Sequence, residues 1–310
     1  MGLGVKCATF GDEAVKSLPM TGTVVALKHD LNRLMKKKLL TDHLVTFRLI
    51  FSGGCIVVFT AAAPLRAQDD AAELAKKLSN PVAALISVPF QNNFDFGAGP
   101  AGKGFQYKMN VQPVIPITLD EDWNLISRTI IPYISQDNVF GTTSQDGLGD
   151  TVQSFFFSPV EATDSGWIWG AGPVLMLPTA TDNLLGTEKW GAGPTALLLK
   201  QENGWTYGTL VNHLWSYAGD DARADVDATY LQPFVSYTTK MQTTYTLNSE
   251  STYDWENTQW SVPLNLSVAQ LAKIGGVPVQ FQIGGRYYAE GPESGPDWGF
   301  RFGVTLLFPK

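Results

Sequence analysis

Asp297-Trp-Gly-Phe-Arg-Phe-Gly-Val-Thr-Leu-Leu-Phe308 precedes the last two residues, Pro309 and Lys310. In an extended strand successive side chains point to opposite faces. Phe300, Phe302, Val304, Leu306 and Phe308 therefore share one face, and Arg301, Gly303 and Thr305 the other. A soluble sandwich would cover the apolar face with a second sheet. An outer-membrane barrel would give that face to lipid, the polar face to its lumen and the terminal aromatic to an interfacial girdle. The barrel reading requires the same alternation throughout the chain.

The alternation recurs. Phe105, Tyr107, Met109, Val111, Ile115 and Ile117 oppose Gln106, Lys108, Asn110 and Gln112. Trp260, Val262, Leu264, Leu266 and Val268 oppose Gln259, Ser261, Asn265 and Ser267, and Val279, Phe281, Ile283 and Tyr287 oppose Gln280, Gln282 and Arg286. Mid-strand Gln, Asn, Lys and Arg with aromatics at both ends of the apolar face favour a lumen over a second sheet. Trp205 and Tyr207 at one end of a segment and Trp215 and Tyr217 at the other fit two interfacial girdles one membrane crossing apart.

Segments of this kind fall at 82–96, 104–117, 123–135, 148–158, 167–178, 189–200, 205–217, 226–238, 243–248, 259–268, 277–288 and 298–308. They predict an all-β, transmembrane, antiparallel up-and-down β-barrel of about twelve strands. Connections at 118–122, 201–204, 240–242 and 271–276 are short. Those at 137–147, 179–188, 218–225 and 249–258 are longer and more polar, as expected if both termini lie on the periplasmic side. The connections at 159–166 and 97–103 fit this alternation less well. Trp169-Gly-Ala-Gly-Pro173 recurs as Trp190-Gly-Ala-Gly-Pro194, with a looser echo from Phe96 to Pro100. Gly and Pro inside strands predict bulges or close backbone approach. Neither copy is followed by a helical pattern or the Lys-Ser/Thr of a phosphate loop.

Composition agrees. Charged residues make up 16% of the chain, below the roughly 25% of soluble domains. Outside the N-terminal region there is no apolar run long enough for a spanning helix. A formal net charge of -7 argues against a nucleic-acid partner. The expected organisation is an upstream extension at 1–34, a signal peptide at 35–67 beginning Met35-Lys36-Lys37-Lys38, a short periplasmic helical segment at 68–81 and the barrel at 82–310. Within the helical segment, 69–78 carries the strong helix formers and Asn80-Pro81 ends it. Both cysteines, Cys7 and Cys55, precede the expected mature start, which leaves no thiol, disulfide or Cys-based metal site in the exported chain. Membrane lipid and a small-molecule solute are the expected partners. Residues 298–308 are the segment that barrel-assembly machinery would engage.

The chain also resembles the MetA-pathway phenol-degradation family of bacterial outer-membrane proteins, often labelled transporters. The resemblance runs from Ala71 to Lys310. It rests on the stretch Leu78-Ser-Asn-Pro-Val-Ala-Ala-Leu-Ile-Ser-Val-Pro-Phe90, on Gly147-Leu-Gly-Asp150, and on Gly186-Thr-Glu-Lys-Trp-Gly-Ala-Gly-Pro194. Asn212-His-Leu-Trp-Ser216, Gln232-Pro-Phe-Val-Ser-Tyr237 and the closing Gly-Gly-Arg-Tyr-Tyr to Leu-Phe-Pro-Lys add to it. It implies a membrane barrel passing small, aromatic or otherwise hydrophobic compounds, and brings no functional residues with it.

Lys108, Arg286 and Arg301 take the polar face of their strands, with Arg128 a further candidate. A charge facing mid-membrane lipid is costly, so these side chains are expected to line the lumen with Gln280, Gln282, Asn265 and Glu250. They could pair with acids such as Glu250 and brace a narrow interior, or form a positive constriction that draws anions. A hydrolase using Ser216 as nucleophile and His213 as base is the enzymatic alternative. Parity opposes it, because His213 shares a face with Trp215 and Tyr217 while Ser216 lies on the other. His213 is the one histidine of the expected mature chain, which excludes a cage of several imidazoles. The acidic run Asp220-Asp221-Ala-Arg-Ala-Asp225-Val-Asp227 could offer oxygens to a divalent cation but lacks helix-loop-helix spacing. It reads better as a solvated outer loop. No cofactor is expected.

Overall fold

A computed structural model describes residues 65–308. The expected upstream extension at 1–34 and the signal segment up to 64 lie outside the described residues. Helix α1 (Leu65–Leu78) begins before the expected 68–81 segment and leads into strand β1 (Ile86–Ala98). The wall continues with β2 (Gly104–Val111), β3 (Val114–Thr118), β4 (Trp123–Asp137), β5 (Ser144–Leu148), β6 (Thr151–Pro159) and β7 (Trp167–Leu177). Next come β8 (Lys189–Glu202), β9 (Trp205–Gly219), β10 (Asp227–Thr238), β11 (Thr243–Ser249) and β12 (Ser251–Asp254). β13 (Gln259–Ile274), β14 (Val277–Glu290) and β15 (Trp298–Phe308) complete it. The pairs β2/β3, β5/β6 and β11/β12 are each one wall strand broken once, so the segments form a closed antiparallel barrel of 12 strands. β15 closes it against β1, from Ile86↔Phe308 to Phe96↔Trp298.

Each break has a local cause. Between β2 and β3, Pro113 has no ladder donor. Between β5 and β6, Gly149 sends its N–H to Pro132 O at 2.9 Å while Asp150 turns toward the next loop. Between β11 and β12, Glu250 stands opposite Pro263, where the β13–β14 register also shifts.

Several expected boundaries move. The strand expected from 82 starts at Ile86, because Val82 and Leu85, each 5% exposed, are buried in the barrel mouth. The loop expected at 137–147 is shorter, since β5 pairs with β4. The loop expected at 249–258 contains β12. The strand expected at 259–268 runs on to Ile274, and its turn shrinks to Gly275-Gly276 with φ of 59° and 88°. Asn203-Gly204 makes the same kind of turn, with φ of 51° and 83°. Two positive φ values match the right-handed twist of the flanking strands, which is why Gly and Asn occupy these tips.

The outward face carries the apolar residues. Phe300, Phe302 and Phe308 of β15 are exposed while Arg301 is 4% exposed. Trp123, Trp169, Trp205 and Tyr237 ring the end that holds the tight turns. Trp190, Trp215, Tyr253, Trp260, Tyr287 and Trp298 ring the other. From Trp205 to Trp215 a strand rising about 3.3 Å per residue, tilted by about 40°, covers about 25 Å, the height of a membrane barrel's apolar band. The recurring Trp-Gly-Ala-Gly-Pro copies lie side by side on β7 and β8, Pro173 opposite Pro194. Gly172 admits Phe155 O and Gly193 admits His213 O at distances that leave no room for a Cβ. Close approach is thus their use, while the bulge in this region falls beside Trp190 and Gly191.

Candidate functional site

The lumen has two unlike walls. One is apolar: Ile126, Phe156, Leu197, Leu199 and Leu210 form a buried cluster with Val114, Ile168, Tyr230 and Phe234 packed against it. Val82, from the segment after α1, inserts into this cluster, and Gly170 leaves the space for it. Residues Leu74 and Leu78 of α1, four apart and so on one helix face, pack with Leu85, Leu271 and Leu307. Gln201 Nε2 donates to Lys76 O at 2.9 Å, which ties the helix to the β8 rim. The helix and its following segment thereby occupy the mouth at the end where β1 begins and β15 ends.

The other wall is charged. Arg301 donates through Nη1 and Nη2 to the two oxygens of Glu250 at 2.8 and 2.7 Å, and through Nε to Asn93 Oδ1 at 2.7 Å. Arg286 lies 3.6 Å from Asp95 and 3.8 Å from Glu250, with its guanidinium carbon 5.4 Å from the Tyr288 ring centroid. Each arginine faces a glycine across the ladder, Arg301 opposite Gly284 and Arg286 opposite Gly299. Side chains this long can lie over the neighbouring strand because no Cβ stands there. Asn93 Nδ2 donates to Lys108 O, and Lys108 lies on the inward face of β2 beside these charges. Arg128 Nη2 donates to Gln112 Oε1 at 2.9 Å.

The remaining candidates take the same inward parity. Gln282 Nε2 donates to Ser267 Oγ at 2.8 Å, and Gln280 borders a cavity of about 200 Å³ shared with Arg128. Asn265 is 4% exposed, and neither atom of its amide has a partner among the described residues. Asn248 Oδ1, Arg286 Nε and Asp95 Oδ1 are unpartnered too. The four residues lie along one rung, Asn248↔Asn265↔Arg286↔Gly299↔Asp95. Sequence reading had not singled out Asn93, Asp95, Tyr230 or Tyr288. Gln91, Asn93 and Asp95 alternating with Phe90, Phe94 and Phe96 were the available signal for the first two.

Ser216 and His213 are not brought together. Ser216 Oγ donates to Asp225 Oδ1 at 3.1 Å and accepts from Val226 N at 3.0 Å. His213, on the outward face, meets Thr229 Oγ1 at 2.7 Å and Asp227 at 3.0 Å and packs on Trp215. The acidic run is engaged in loop structure: Asp220 caps Ala222 N, and Asp225 pairs with Lys189 at 2.9 Å. Among the described residues no group of three His, Cys, Asp or Glu side chains gathers to hold a metal.

At the far end, Asp150 accepts from Thr187 N at 2.6 Å, Thr187 Oγ1 at 2.8 Å and Ala180 N at 3.2 Å, fastening loop 178–188 to the β5/β6 break. Arg223 then donates to Gly186 O at 2.6 Å and Asn183 O at 2.8 Å, tying loop 220–226 to the first. A cavity of about 470 Å³ lies between these loops.

No known family model matches the sequence, and no curated protein matches it. Among solved structures, the chain is similar to an outer membrane channel from Pseudomonas putida F1 at 14% identity and a TM-score of 0.57, covering 72% of this chain and 93% of that one. It is similar at 10% identity and a TM-score of 0.45 to the NanC porin, over 72% of this chain and 100% of that one. For outer membrane phospholipase A from Escherichia coli the values are 11% and 0.43, over 72% and 90%. The Pseudomonas likeness supports a shared barrel fold, and the other two are too distant to bear on function. A closed barrel whose outward face is an apolar band between two aromatic girdles belongs in lipid; the chain is a β-barrel of the bacterial outer membrane.

Proposed function

We propose that this barrel is a passive channel for small molecules, and that aromatic compounds and their carboxylates are the solutes it suits best. The observation that carries the reading is the contrast between the lumen walls. Arg286 and Arg301 pair with two carboxylates, Asp95 and Glu250, on one side, where Lys108 and Arg128 add two further inward cations. Aliphatic and aromatic side chains from β4 to β10 form the other. A solute with a flat apolar body and a polar or anionic end satisfies both walls at once, whereas a sugar leaves the apolar wall in contact with hydroxyls. The resemblance to the phenol-degradation family favours the same solute class. Helix α1 and Val82 narrow the mouth, which favours selective over general passage.

Reconstitution of the full chain into liposomes tests this. Swelling with benzoate and phenol should outpace swelling with arabinose or sucrose, and planar bilayers should show an anion-preferring conductance. Silence toward every solute, in both assays, would leave a barrel that is structural rather than conducting.

A further inference from the structure

The four lumen cations are not equivalent. Arg301 is held by Glu250 and Asn93 through all three of its nitrogens, and Arg286 is shared between Asp95 and Glu250. Arg128 has no ion pair among the described residues, and Gln112 Oε1 is the one hydrogen-bond acceptor it meets there. It borders the cavity of about 200 Å³ that ends at the segment following α1. Gln112 and Gln280 bring side-chain amides to the same cavity, and Leu78, Leu85 and Val114 supply an apolar floor.

A guanidinium carries five N–H donors in a planar fork that matches the two oxygens of a carboxylate. Held against aliphatic side chains without an anion, it forgoes the compensation that makes a partly buried charge tolerable. Glu250 makes no ion pair with Arg128, its oxygens being held by Arg301 and approached by Arg286. The cavity is smaller than the roughly 300 Å³ at which sites for drug-sized molecules begin, which limits its occupant to about one ring.

We propose that Arg128 and this cavity form a binding site for a one-ring carboxylate, with the guanidinium taking the carboxylate and Leu78, Leu85 and Val114 taking the ring. The site deepens the channel reading by naming the anion that the lumen selects and where it pauses. A bound solute sits against the end of α1, so its residence there is coupled to the segment that narrows the mouth.

The test is equilibrium binding of benzoate and of phenol to the detergent-solubilised full chain by calorimetry, for the wild type, Arg128→Gln and Arg128→Lys. Heat-modifiable migration on gels establishes that each variant is a folded barrel. Benzoate should bind the wild type and lose at least about tenfold in affinity in Arg128→Gln, with Arg128→Lys intermediate and phenol indifferent to both. Absence of benzoate binding to the wild type, or equal affinity in Arg128→Gln, overturns the site. If Arg128→Gln does not fold, the comparison of wild type with Arg128→Lys decides: unchanged affinity in the folded lysine variant overturns the planar-fork assignment. The measurement requires no conduction. Binding without conductance would therefore retire the channel reading and keep the site, while conductance without binding would do the reverse.

Discussion

Glu250 and Arg301 join across two intervening strands. The carboxylate leaves the wall at the β11/β12 break, and the guanidinium comes from β15, with β13 and β14 between them. The contact is a chord of the barrel rather than a neighbour-to-neighbour rung, and it draws Arg286 in at 3.8 Å.

Removing one partner of such a buried pair strands the others. Glu250→Gln should cost about 3–5 kcal/mol of barrel stability, because two guanidinium groups lose their shared carboxylate. It also makes the lumen more positive by one charge. The reversal potential in a KCl gradient should move toward that of chloride, and in the double variant Arg286→Gln/Arg301→Gln toward that of potassium. An unmoved potential in folded protein would mean that the permeation path avoids this chord.

Leu74 and Leu78 hold α1 to Leu85, Leu271 and Leu307 by apolar contact, and Gln201 adds a side-chain tether to Lys76 O. Truncating both to Ala removes about 2 kcal/mol or more at buried Leu74 and less at half-buried Leu78. The helix should then spend more time off the mouth, seen as a larger single-channel conductance and faster proteolysis within 65–85 in open proteoliposomes. Unaltered conductance despite helix release would show that the narrowing lies elsewhere, at the charged chord.

Asp150 fastens loop 178–188 by three hydrogen bonds, and Gly186 abuts its carboxylate and Ala180 so closely that a side chain would not fit. Asp150→Ala leaves two backbone N–H groups without that acceptor, at about 1–3 kcal/mol each if they stay buried. Protease added to intact cells should nick this loop in the variant and spare it in the wild type, with little change in barrel melting.

The Lys189–Asp225 pair carries a pH signature. The hydrogen bond from Lys189, and after it that from Ser216, holds the Asp225 carboxyl below the usual carboxylate range. A lowered folded value means that the contact is fully formed above the unfolded pKa of about 3.9 and is lost only as pH falls through the lowered one. Nicking of loop 220–226 should therefore be flat from neutrality down to a pH of about 4.5. In Asp225→Asn it should be raised even at neutral pH.

The strands were legible because lipid on one side and a lumen on the other impose period two, and aromatics mark where each crossing ends. Trp298 to Phe308 was read to the residue on that basis. Boundaries slipped where backbone chemistry interrupts the period. Pro113 and Glu250 each break a strand while the residues beyond keep their faces, whereas at Gly149-Asp150 the register against β4 slips by one, so that Leu148 faces outward and Phe156 inward. Inward orientation could be inferred for Arg286 and Arg301, and Glu250 as an acid they meet, but not Asp95. Asp95 lies far away in sequence and is brought near Arg286 by closure of β1 on β15. The apolar wall was the least visible feature. Its inward Ile126, Phe156, Leu197 and Leu199 violate the polar-inside pattern, and they pack around the docked Val82.

The two glycines that separate packing from permissiveness are Gly193 and Gly285. A Cβ on Gly193 would collide with the carbonyl of His213, a backbone atom of β9 that cannot swing aside as a side-chain tip would. Relief requires β8 and β9 to part where the ladder already lacks pairing between Ala192↔Trp215 and Thr195↔Asn212. A Cβ on Gly285, pointing outward from β14, meets nothing within 4 Å. Gly193→Ala should accordingly lower the yield of heat-modifiable barrel severalfold and lower its melting temperature. Gly285→Ala should match or slightly exceed the wild type, since Ala loses less conformational entropy on folding than Gly. Equal behaviour of the two variants would mean that the β8–β9 seam is looser than its geometry states, and that Pro194 rather than Gly193 sets the spacing there.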